Sequence, residues 1–449
     1  LERRVCHVEP SQEVKEALAE GRAEHLETLV TEELHISPAK PWVLQYQRDK
    51  YIIHPKAPAD ETGEGAPQKT AETGSVAEPM TRSHEADATA PALTRIVVAP
   101  LPSRPIQKAM AGHSMLVYIL VQKYLNHMPL YRIVRDLKRQ GLELRQGTVV
   151  GWLKELYALL GPVQQALRKR VMESPLILSD DTGLRVLDSD SKGQSHRGYI
   201  WLFGDGRHVL AQYSPSRAQK VPKEALEDWG GGILLTDAYA GYNAVTSRTS
   251  VRQAYCWAHV RRKFIEAHDS DPLRCGFVLR RIGLMYAWER RMRDRGFDWE
   301  QIEAQRKRRY GSMLEGLKRR AQAYLLKGVR PKSPLGEAIT YLLNCWEGLQ
   351  VMVEEPSVPL DNNLSERCIR DVVIGRKNWL FCGSHEAAER AALFISLIAT
   401  CKLQAVDPEG YLSTLLRVLP DWPQSRVGEL LPGRLQPIPE PQYPTLQSA

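Results

Sequence analysis

A change of hydrophobic period near residue 175 is the feature that most constrains the fold. Three short apolar runs follow it, separated by polar, glycine-containing turns, which is the pattern of consecutive antiparallel strands. They cover residues 176–187, 199–203 and 208–213. A helical stretch over residues 217–229 then leads to a further short apolar strand that ends in Asp237. Strands, helix and strand in this order predict an α/β fold with a mixed sheet.

Composition and periodicity divide the rest of the chain into segments. Residues 55–91 are rich in Ala, Pro, Gly, Thr, Ser and Glu with almost no large apolar side chain, so we predict a flexible linker over residues 55–104. We also predict a small N-terminal module (1–54), a helical domain (105–172), a core in two parts (173–263 and 359–405), a helical and arginine-rich insertion between those parts (264–358), and a C-terminal segment (406–449).

The N-terminal module is small. It combines a charged, helix-compatible stretch over residues 13–29 with an apolar, β-compatible stretch over residues 41–53. Cys6 is the only Cys before Cys256, so the four-ligand site of a cysteine-rich module cannot be built here, and we expect no zinc. Because the chain starts with Leu rather than Met, we interpret it as a fragment.

Two short helices are predicted in the helical domain. Residues 129–141 begin at a Pro and end at a Gly, and residues 146–157 resume a helix after a short turn. This is the pattern of a helix-turn-helix, whose second helix enters a major groove. Arg145, Thr148 and Lys154 are then candidates for DNA contacts. A plain helical hairpin packed on a core fits the same pattern, so both interpretations stay open.

The charge balance favours a polyanionic partner. Lys and Arg number 61 against 53 Asp and Glu, a formal net charge of +8, and pairs of arginines recur along the insertion. The hydrophobic share of 43% and the charged share of 25% are ordinary for globular proteins and exclude collagenous, membrane and wholly disordered classes. The seven Cys are odd in number and scattered, which is typical of reduced thiols in a cytosolic protein. No long apolar run or secretory leader occurs, so we expect no membrane partner.

Three acids fall where the predicted elements allow them to meet. Asp180 lies within the first strand, Asp237 ends a later strand, and Glu366 lies in the first turns of a helix. Mg²⁺ binds carboxylate oxygens and keeps its other positions for water and phosphate, so these acids predict a metal site. Two such ions serve phosphodiester chemistry in many enzymes. Since the chain holds 53 acids, spacing alone does not single these three out.

Side chains next to these positions are further candidates. Cys256 and His259 have half of a zinc-site spacing, but no second pair is visible, so a packed Cys and a hydrogen-bonded His are the favoured interpretation. Neighbouring cations are candidates for phosphate contacts, with solvated surface charge as the alternative. These cations are Arg261, Arg262, Lys263, Arg376 and Lys377.

Six motifs, in order, resemble the transposases of the insertion-sequence 66 family. They are Leu-Ser-Asp-Asp-Thr (178–182), Leu-Thr-Asp-Ala-Tyr-Ala-Gly-Tyr (235–242), Cys-Trp-Ala-His-Val-Arg-Arg-Lys-Phe (256–264), Asp-Asn-Asn-Leu-Ser-Glu-Arg (361–367), Gly-Arg-Lys-Asn-Trp-Leu-Phe (375–381) and Val-Asp-Pro-Glu-Gly-Tyr-Leu (406–412). The resemblance covers residues 97–431. It implies a DDE transposase with a ribonuclease-H-like core, a helical insertion before the Glu, and Asp180, Asp237 and Glu366 as the catalytic, metal-binding triad.

The resemblance also implies partners and a reaction. We expect Mg²⁺, replaceable by Mn²⁺ and present as two ions, to support cleavage and joining of DNA strands. The expected partners are the terminal repeats of an insertion sequence, target DNA, further copies of this chain and accessory proteins of the same element, in the cytoplasm of a bacterium at the nucleoid. A ribonuclease-H-like nuclease that does not join strands and a DNA-binding relative without catalysis are the alternatives.

Two departures from the family pattern bear on these expectations. The family typically has Asp-Glu-Thr where this chain has Asp180-Asp181-Thr182, so a one-residue error in the choice of Asp180 stays open. The cysteine-rich, zinc-binding module that the family leads us to expect near the N-terminus is missing. We therefore interpret the N-terminal module over residues 1–54 as degenerate or truncated. As a further alternative, the helical pair over residues 129–157 takes the DNA-binding role.

Overall fold

The structure is a computed structural model that describes residues 3–37, 40–54, 95–187, 195–439 and 441–442. It divides into two units, which are described separately. The smaller unit comprises residues 1–35 and 42–102 together with the last residues of the chain, and the larger comprises residues 36–41 and 103–440.

The smaller unit contains a four-stranded sheet and one helix. The elements are β1 (Arg3–His7), α1 (Gln12–Ala19), β2 (Ala23–Ser37), β3 (Lys40–Ile53) and β4 (Arg95–Val98). β3 pairs with the other three strands, parallel to β1 and antiparallel to β4. The Ser11 side chain caps α1, and Val14 of α1 packs against Tyr51 and Ile53 of β3.

Two expectations for this region differ from the structure. The helical stretch expected over residues 13–29 ends at Ala19, and residues 23–29 belong to β2. Gly21, with a φ of +68°, turns the chain there. The linker expected over residues 55–104 falls largely outside the described residues, but its later part forms β4, because Ile96, Val97 and Val98 are β-branched and pair with β3.

A five-stranded sheet lies at the centre of the larger unit. Its strands are β5 (Leu176–Leu187), β6 (Ser195–Gly204), β7 (Val209–Ser214), β8 (Gly232–Thr236) and β9 (Val251–Tyr255). Their order is β7-β6-β5-β8-β9. β5, β6 and β7 are antiparallel, whereas β8 is parallel to β5 and β9 to β8. The predicted mixed sheet is therefore confirmed, with β5 as its central strand.

The rest of the larger unit is mainly helical. The helices are α2 (His113–Leu120), α3 (Leu130–Arg139), α4 (Gln146–Leu159), α5 (Gly161–Met172), α6 (Lys220–Ala225), α7 (Asn243–Thr246), α8 (Trp257–Glu266), α9 (Pro272–Asp294), α10 (Trp299–Leu326), α11 (Pro334–Asn344), α12 (Trp346–Glu354), α13 (Asn363–Trp379), α14 (His385–Leu403) and α15 (Pro408–Val418). The helical pair predicted over residues 129–157 is present as α3 and α4. None of the helices in the described ranges is long and apolar enough to cross a membrane.

Helices cover both faces of the five-stranded sheet. On one face, Trp201 of β6 and Trp229 lie in a buried cluster with residues of α5. On the other face, α13 and α14 pack against β5, β6 and β7. The Ser396 hydroxyl of α14 accepts a hydrogen bond from the backbone N–H of Ala211 in β7 (2.8 Å). α14 therefore also satisfies part of the outer edge of the sheet.

The helical insertion shares its core with the sheet. Leu178 of β5 and Leu235 of β8 lie in the same buried cluster as Ile282 of α9, Leu314 of α10 and Ile339 of α11. Because these apolar contacts are continuous, the insertion and the sheet stabilise each other.

Arg306 in α10 joins the insertion to the segment that leads into α13. Its side chain is 2% exposed and donates two hydrogen bonds to the Glu289 carboxylate, each 2.9 Å. It also donates to the carbonyls of Met352 (2.7 Å) and Val358 (3.0 Å). A guanidinium with this many partners tolerates burial, whereas losing it leaves Glu289 as a poorly compensated charge.

We expect Arg306→Ala to lower the free energy of unfolding by about 3–5 kcal/mol, because it breaks a buried ion pair. Arg308→Ala is the matched control: Arg308 is exposed on the same helix, so its loss should change stability by less than about 0.5 kcal/mol. Urea denaturation followed by circular dichroism measures both values. Equal effects of the two substitutions would contradict the role given to Arg306.

Candidate active site

The pairing of β5 with β8 places two acids side by side. These strands are parallel, with Leu178 opposite Leu235. Continuing this register by two residues sets Asp180 beside Asp237, and alternate residues of a strand share a face. Leu178 and Leu235 lie in one buried cluster, so Asp180 and Asp237 belong to that same face of the sheet.

Helix α13 brings Glu366 to the same face. Glu366 lies in the first turn of α13. Just before the helix, the Asn362 side-chain amide donates a hydrogen bond to the carbonyl of Ser179 in β5 (2.9 Å). At the other end, Arg376 donates to the Thr182 hydroxyl (2.9 Å). α13 is therefore held along β5, and the structure brings the three predicted acids together.

The acids form a cluster with little compensating charge. Burial, together with the negative charges of Asp237, Asp181 and Glu366, raises the pKa of Asp180 to about 7. The Glu366 Oε1 atom is buried and has no hydrogen-bond partner among the described residues. The Arg262 guanidinium lies 3.6 Å from this oxygen and the His259 imidazole lies 4.0 Å from it, both beyond hydrogen-bond distance. Clustered carboxylates with an orphaned oxygen fit a divalent cation that prefers oxygen ligands.

The structure separates Asp180 from its neighbour Asp181. Asp181 points to the opposite face, where Arg217 donates hydrogen bonds to both of its carboxylate oxygens (2.9–3.1 Å). The Arg217 guanidinium lies over the Tyr239 ring, 3.9 Å from its centroid. The Tyr239 N–H in turn donates to the Asp237 carboxylate (3.1 Å). Asp181 is thus engaged in an ion pair, and Asp180 is the acid that faces Asp237 and Glu366.

Cys256 and His259 lie closer to Glu366 than the sequence indicates. One ligand atom of each of these three residues lies within 4.8 Å of the others. The Cys256 thiol accepts a hydrogen bond from the Asn362 N–H (3.2 Å), and burial raises its pKa to about 12. Burial also lowers the pKa of His259. These ligand types suit Zn²⁺, but the described residues bring together only three of them where a structural zinc site has four, so we retain a packing role for Cys256.

The predicted DNA-contacting residues have different surroundings. Arg262 is beside Glu366, and Arg376 has its guanidinium committed to β5, which gives it a structural contact. The other predicted DNA-contacting residues are exposed, and no contact in the described part of the chain links them to the acids. They are Arg145, Thr148, Lys154, Arg261, Lys263 and Lys377.

Models of known families match the parts of the chain that contain these motifs. The model of the Transposase IS66 family matches residues 108–390, more than half of the chain, and the model of the IS66 C-terminal element matches residues 396–432. The chain belongs to the IS66 transposase family. The resemblance read from the motifs is therefore confirmed, and membership of a transposase family implies a protein that binds DNA.

Three curated relatives of this IS66 family chain come from Sinorhizobium fredii (strain NBRC 101917 / NGR234). They are the uncharacterized proteins y4hP, y4qI and y4jD, which are 28%, 29% and 28% identical to this chain over 438, 359 and 339 residues. The matches cover 88%, 76% and 72% of this chain and 76%, 66% and 65% of the respective relatives. The chain thus spans about two thirds to three quarters of the length of these relatives.

The raised pKa of Asp180 predicts a pH-dependent stability. A carboxyl whose pKa is higher in the folded state stabilises the fold below its ordinary pKa, and this stabilisation is lost as pH rises through about 7. Without divalent cations, Asp180→Asn should therefore raise the melting temperature, and the gain over the wild type should grow from about pH 4 to about pH 7 and then level off. Differential scanning calorimetry measures it.

The control for this experiment is Asp181→Asn. Burial raises the pKa of Asp181 as well, but the ion pair with Arg217 opposes this rise, so the gain in melting temperature should be smaller than for Asp180→Asn. Millimolar Mg²⁺ should stabilise the wild type and Asp181→Asn at neutral pH but have a much smaller effect on Asp180→Asn. A gain for Asp180→Asn that does not vary with pH would show that its carboxylate is not under the repulsion described above.

Proposed function

We propose that this chain is a DNA transposase in which Asp180, Asp237 and Glu366 hold the divalent cations needed to cleave and join DNA strands. The observation that carries the proposal is the meeting of three carboxylates on one face of the sheet, one on β5, one directly after β8 and one on α13. Family membership gives the class of reaction. The finer roles rest on the geometry around the acids.

The architecture supports a ribonuclease-H-like core. Three antiparallel strands lead through a helix to two parallel strands, and the first acid lies on the central strand. The second acid directly follows the neighbouring parallel strand, β8. Helices α9 to α12 lie between Asp237 and Glu366, where the family resemblance puts a helical insertion.

The donor set fits Mg²⁺ or Mn²⁺. Asp180, Asp237 and Glu366 supply hard oxygen ligands, and the unpartnered Glu366 oxygen is available for one more contact. When bound, two such ions would acidify an attacking hydroxyl and neutralise charge on the phosphate oxygens. A half-buried cluster of acids gains most from this compensation, because each carboxylate otherwise repels its neighbours.

The surrounding residues would orient the acids and the DNA. Tyr239 fixes Asp237 through its backbone N–H, and the start of α13 fixes Glu366. The Arg262 side chain, 55% exposed and 3.6 Å from Glu366, is placed to contact a phosphate oxygen of the strand being cut. His259 would remain neutral near pH 7, since burial lowers its pKa. Preorganised groups of this kind favour in-line attack by holding the reacting atoms in place.

The DNA partners follow from the same proposal. The exposed residues Arg145, Thr148 and Lys154 of the α3–α4 pair would contact the element ends. Joining requires two ends and a target, so we expect more than one copy of the chain on DNA. Accessory proteins of the same element and action at the bacterial nucleoid stay predictions.

Substitution of any one acid should abolish the reaction. Asp180→Asn, Asp237→Asn and Glu366→Gln should each lower strand cleavage by at least about a thousandfold, because the cations lose a ligand. DNA binding should change little. The assay uses end-labelled DNA from the borders of the element with Mg²⁺ or Mn²⁺, and Asp181→Asn, on the opposite face of the sheet, is the control that should keep measurable cleavage.

The products decide between the proposal and its alternatives. Cleaved strands joined to target DNA support a transposase, whereas cleavage that never yields joined product indicates a nuclease. Salt-sensitive DNA binding without cleavage by the wild type would indicate a relative that only binds DNA. Wild-type cleavage by any of the three acid variants would overturn the assignment of that residue.

A further inference from the structure

The turn that follows α13 exposes two large apolar side chains. Leu380 is 63% exposed and Phe381 is 44% exposed. They end the motif Gly-Arg-Lys-Asn-Trp-Leu-Phe over residues 375–381 and lie outside the cluster of acids. Other large apolar side chains are exposed singly elsewhere, but two adjacent ones form a patch, and exposed apolar patches often mark a binding surface.

The backbone at this turn is strained. Leu380 has a φ of +65° and a ψ of −45°, and the N–H of Phe381 donates to the carbonyl of Trp379 (2.8 Å). This is a γ-turn with positive φ, which is rare and costs free energy in a residue that carries a Cβ. A Gly would adopt it with less strain, so the Leu side chain is kept at a conformational penalty.

The turn is also held firmly against the sheet. The N–H of Leu380 donates to the carbonyl of Arg376 (3.0 Å), and the N–H of Cys382 donates to the carbonyl of Arg185 in β5 (2.9 Å). The N–H of Leu187 donates back to the carbonyl of Cys382 (2.8 Å). These hydrogen bonds on both sides fix the backbone from which the two side chains project, which reduces the backbone entropy lost on binding.

Cations surround the two apolar side chains. An open groove beside the turn, here named the Phe381 groove, is lined by Leu380 and Phe381 together with basic residues, and no carboxylate lines its described part. The basic residues are Arg185, Arg197, Arg376 and Lys377. Arg185 and Arg197 lie directly opposite each other on β5 and β6. Like charges in this position repel, so the groove favours an anionic occupant.

We infer that the Phe381 groove binds a DNA strand with an unstacked nucleotide, whose base packs on Phe381 and Leu380. Arg185, Arg197 and Lys377 would contact the neighbouring phosphates. Aromatic side chains stack on any base, and an apolar residue beside them fills the gap left by an opened base step. The inference rests on the proposed transposase function, because it takes the strand in the groove to be the strand that reaches the acids.

The position of the groove along β5 sets its distance from the acids. Arg185, to which the turn is bonded, is five residues beyond Asp180, about 17 Å at about 3.3 Å per strand residue. One strand of DNA advances about 3.4 Å per nucleotide. Because Arg185 is an odd number of residues from Asp180, its side chain leaves β5 on the Asp181 face of the sheet. A strand in the groove must cross to the other face to reach the acids, so the unstacked nucleotide should lie more than about five nucleotides from the phosphodiester there.

A binding experiment without divalent cations tests the inference apart from catalysis. The probes are a fluorescein-labelled blunt duplex and the same duplex with a short thymidine overhang. The wild type should prefer the overhang probe, and Phe381→Ala should weaken that binding about five- to 100-fold while changing the blunt duplex by less than about twofold. Ile374→Ala is the matched control, since Ile374 is also exposed on α13 (42%) but does not line the groove.

A second variant separates loss of contact from loss of folding. Leu380→Gly removes the strained side chain, so it should keep or raise the melting temperature while weakening binding to the overhang probe. Equal binding of both probes by the wild type, or unchanged binding by Phe381→Ala, would overturn the inference. So would loss of self-association in Phe381→Ala with DNA binding intact, which would show a protein interface. A preference for the overhang in a protein that cleaves no DNA would instead contradict the proposed function and leave the groove as a DNA site.

Discussion

Repulsion between carboxylates on one face of the sheet is the constraint on which the site depends. The parallel register of β5 and β8 sets Asp180 beside Asp237, and the start of α13 adds Glu366. Without a cation, burial together with these neighbouring charges raises the pKa of Asp180 to about 7. Holding like charges together therefore lowers the free energy of unfolding, which is expected where strain serves binding or catalysis.

The elements around the acids oppose this repulsion. Asn362 donates hydrogen bonds to β5 and to the Cys256 thiol, so the chain enters α13 from a fixed point next to α8. Farther away, the Arg306 side chain donates hydrogen bonds to backbone carbonyls of the segment that precedes Asn362. The helical insertion thus contributes to the position of Glu366, in addition to any contact that its exposed arginines make with DNA.

Much of the fold and of the site could be predicted from the sequence, because these features depend on the pattern of neighbouring residues. Short apolar runs indicate β5 and β6, and a short apolar run ending in an acid indicates β8 and Asp237. The choice between Asp180 and Asp181 could not be made locally, since it depends on Arg217 reaching back to β5. The strained turn at Leu380 could not be predicted from the local sequence either, because hydrogen bonds to distant residues of β5 maintain it. In the smaller unit, charged residues after Gly21 favoured a helix, but pairing with β3 makes them a strand.

The most direct test of the account is the location of bound metal. Crystals of the full chain grown with Mn²⁺ would be measured at the manganese absorption edge, where anomalous scattering identifies the ion without reference to activity. The account predicts anomalous density within bonding distance of carboxylate oxygens of Asp180, Asp237 and Glu366. Density on Asp181 instead of Asp180, or at Cys256 and His259 with the two aspartates free of metal, would contradict it.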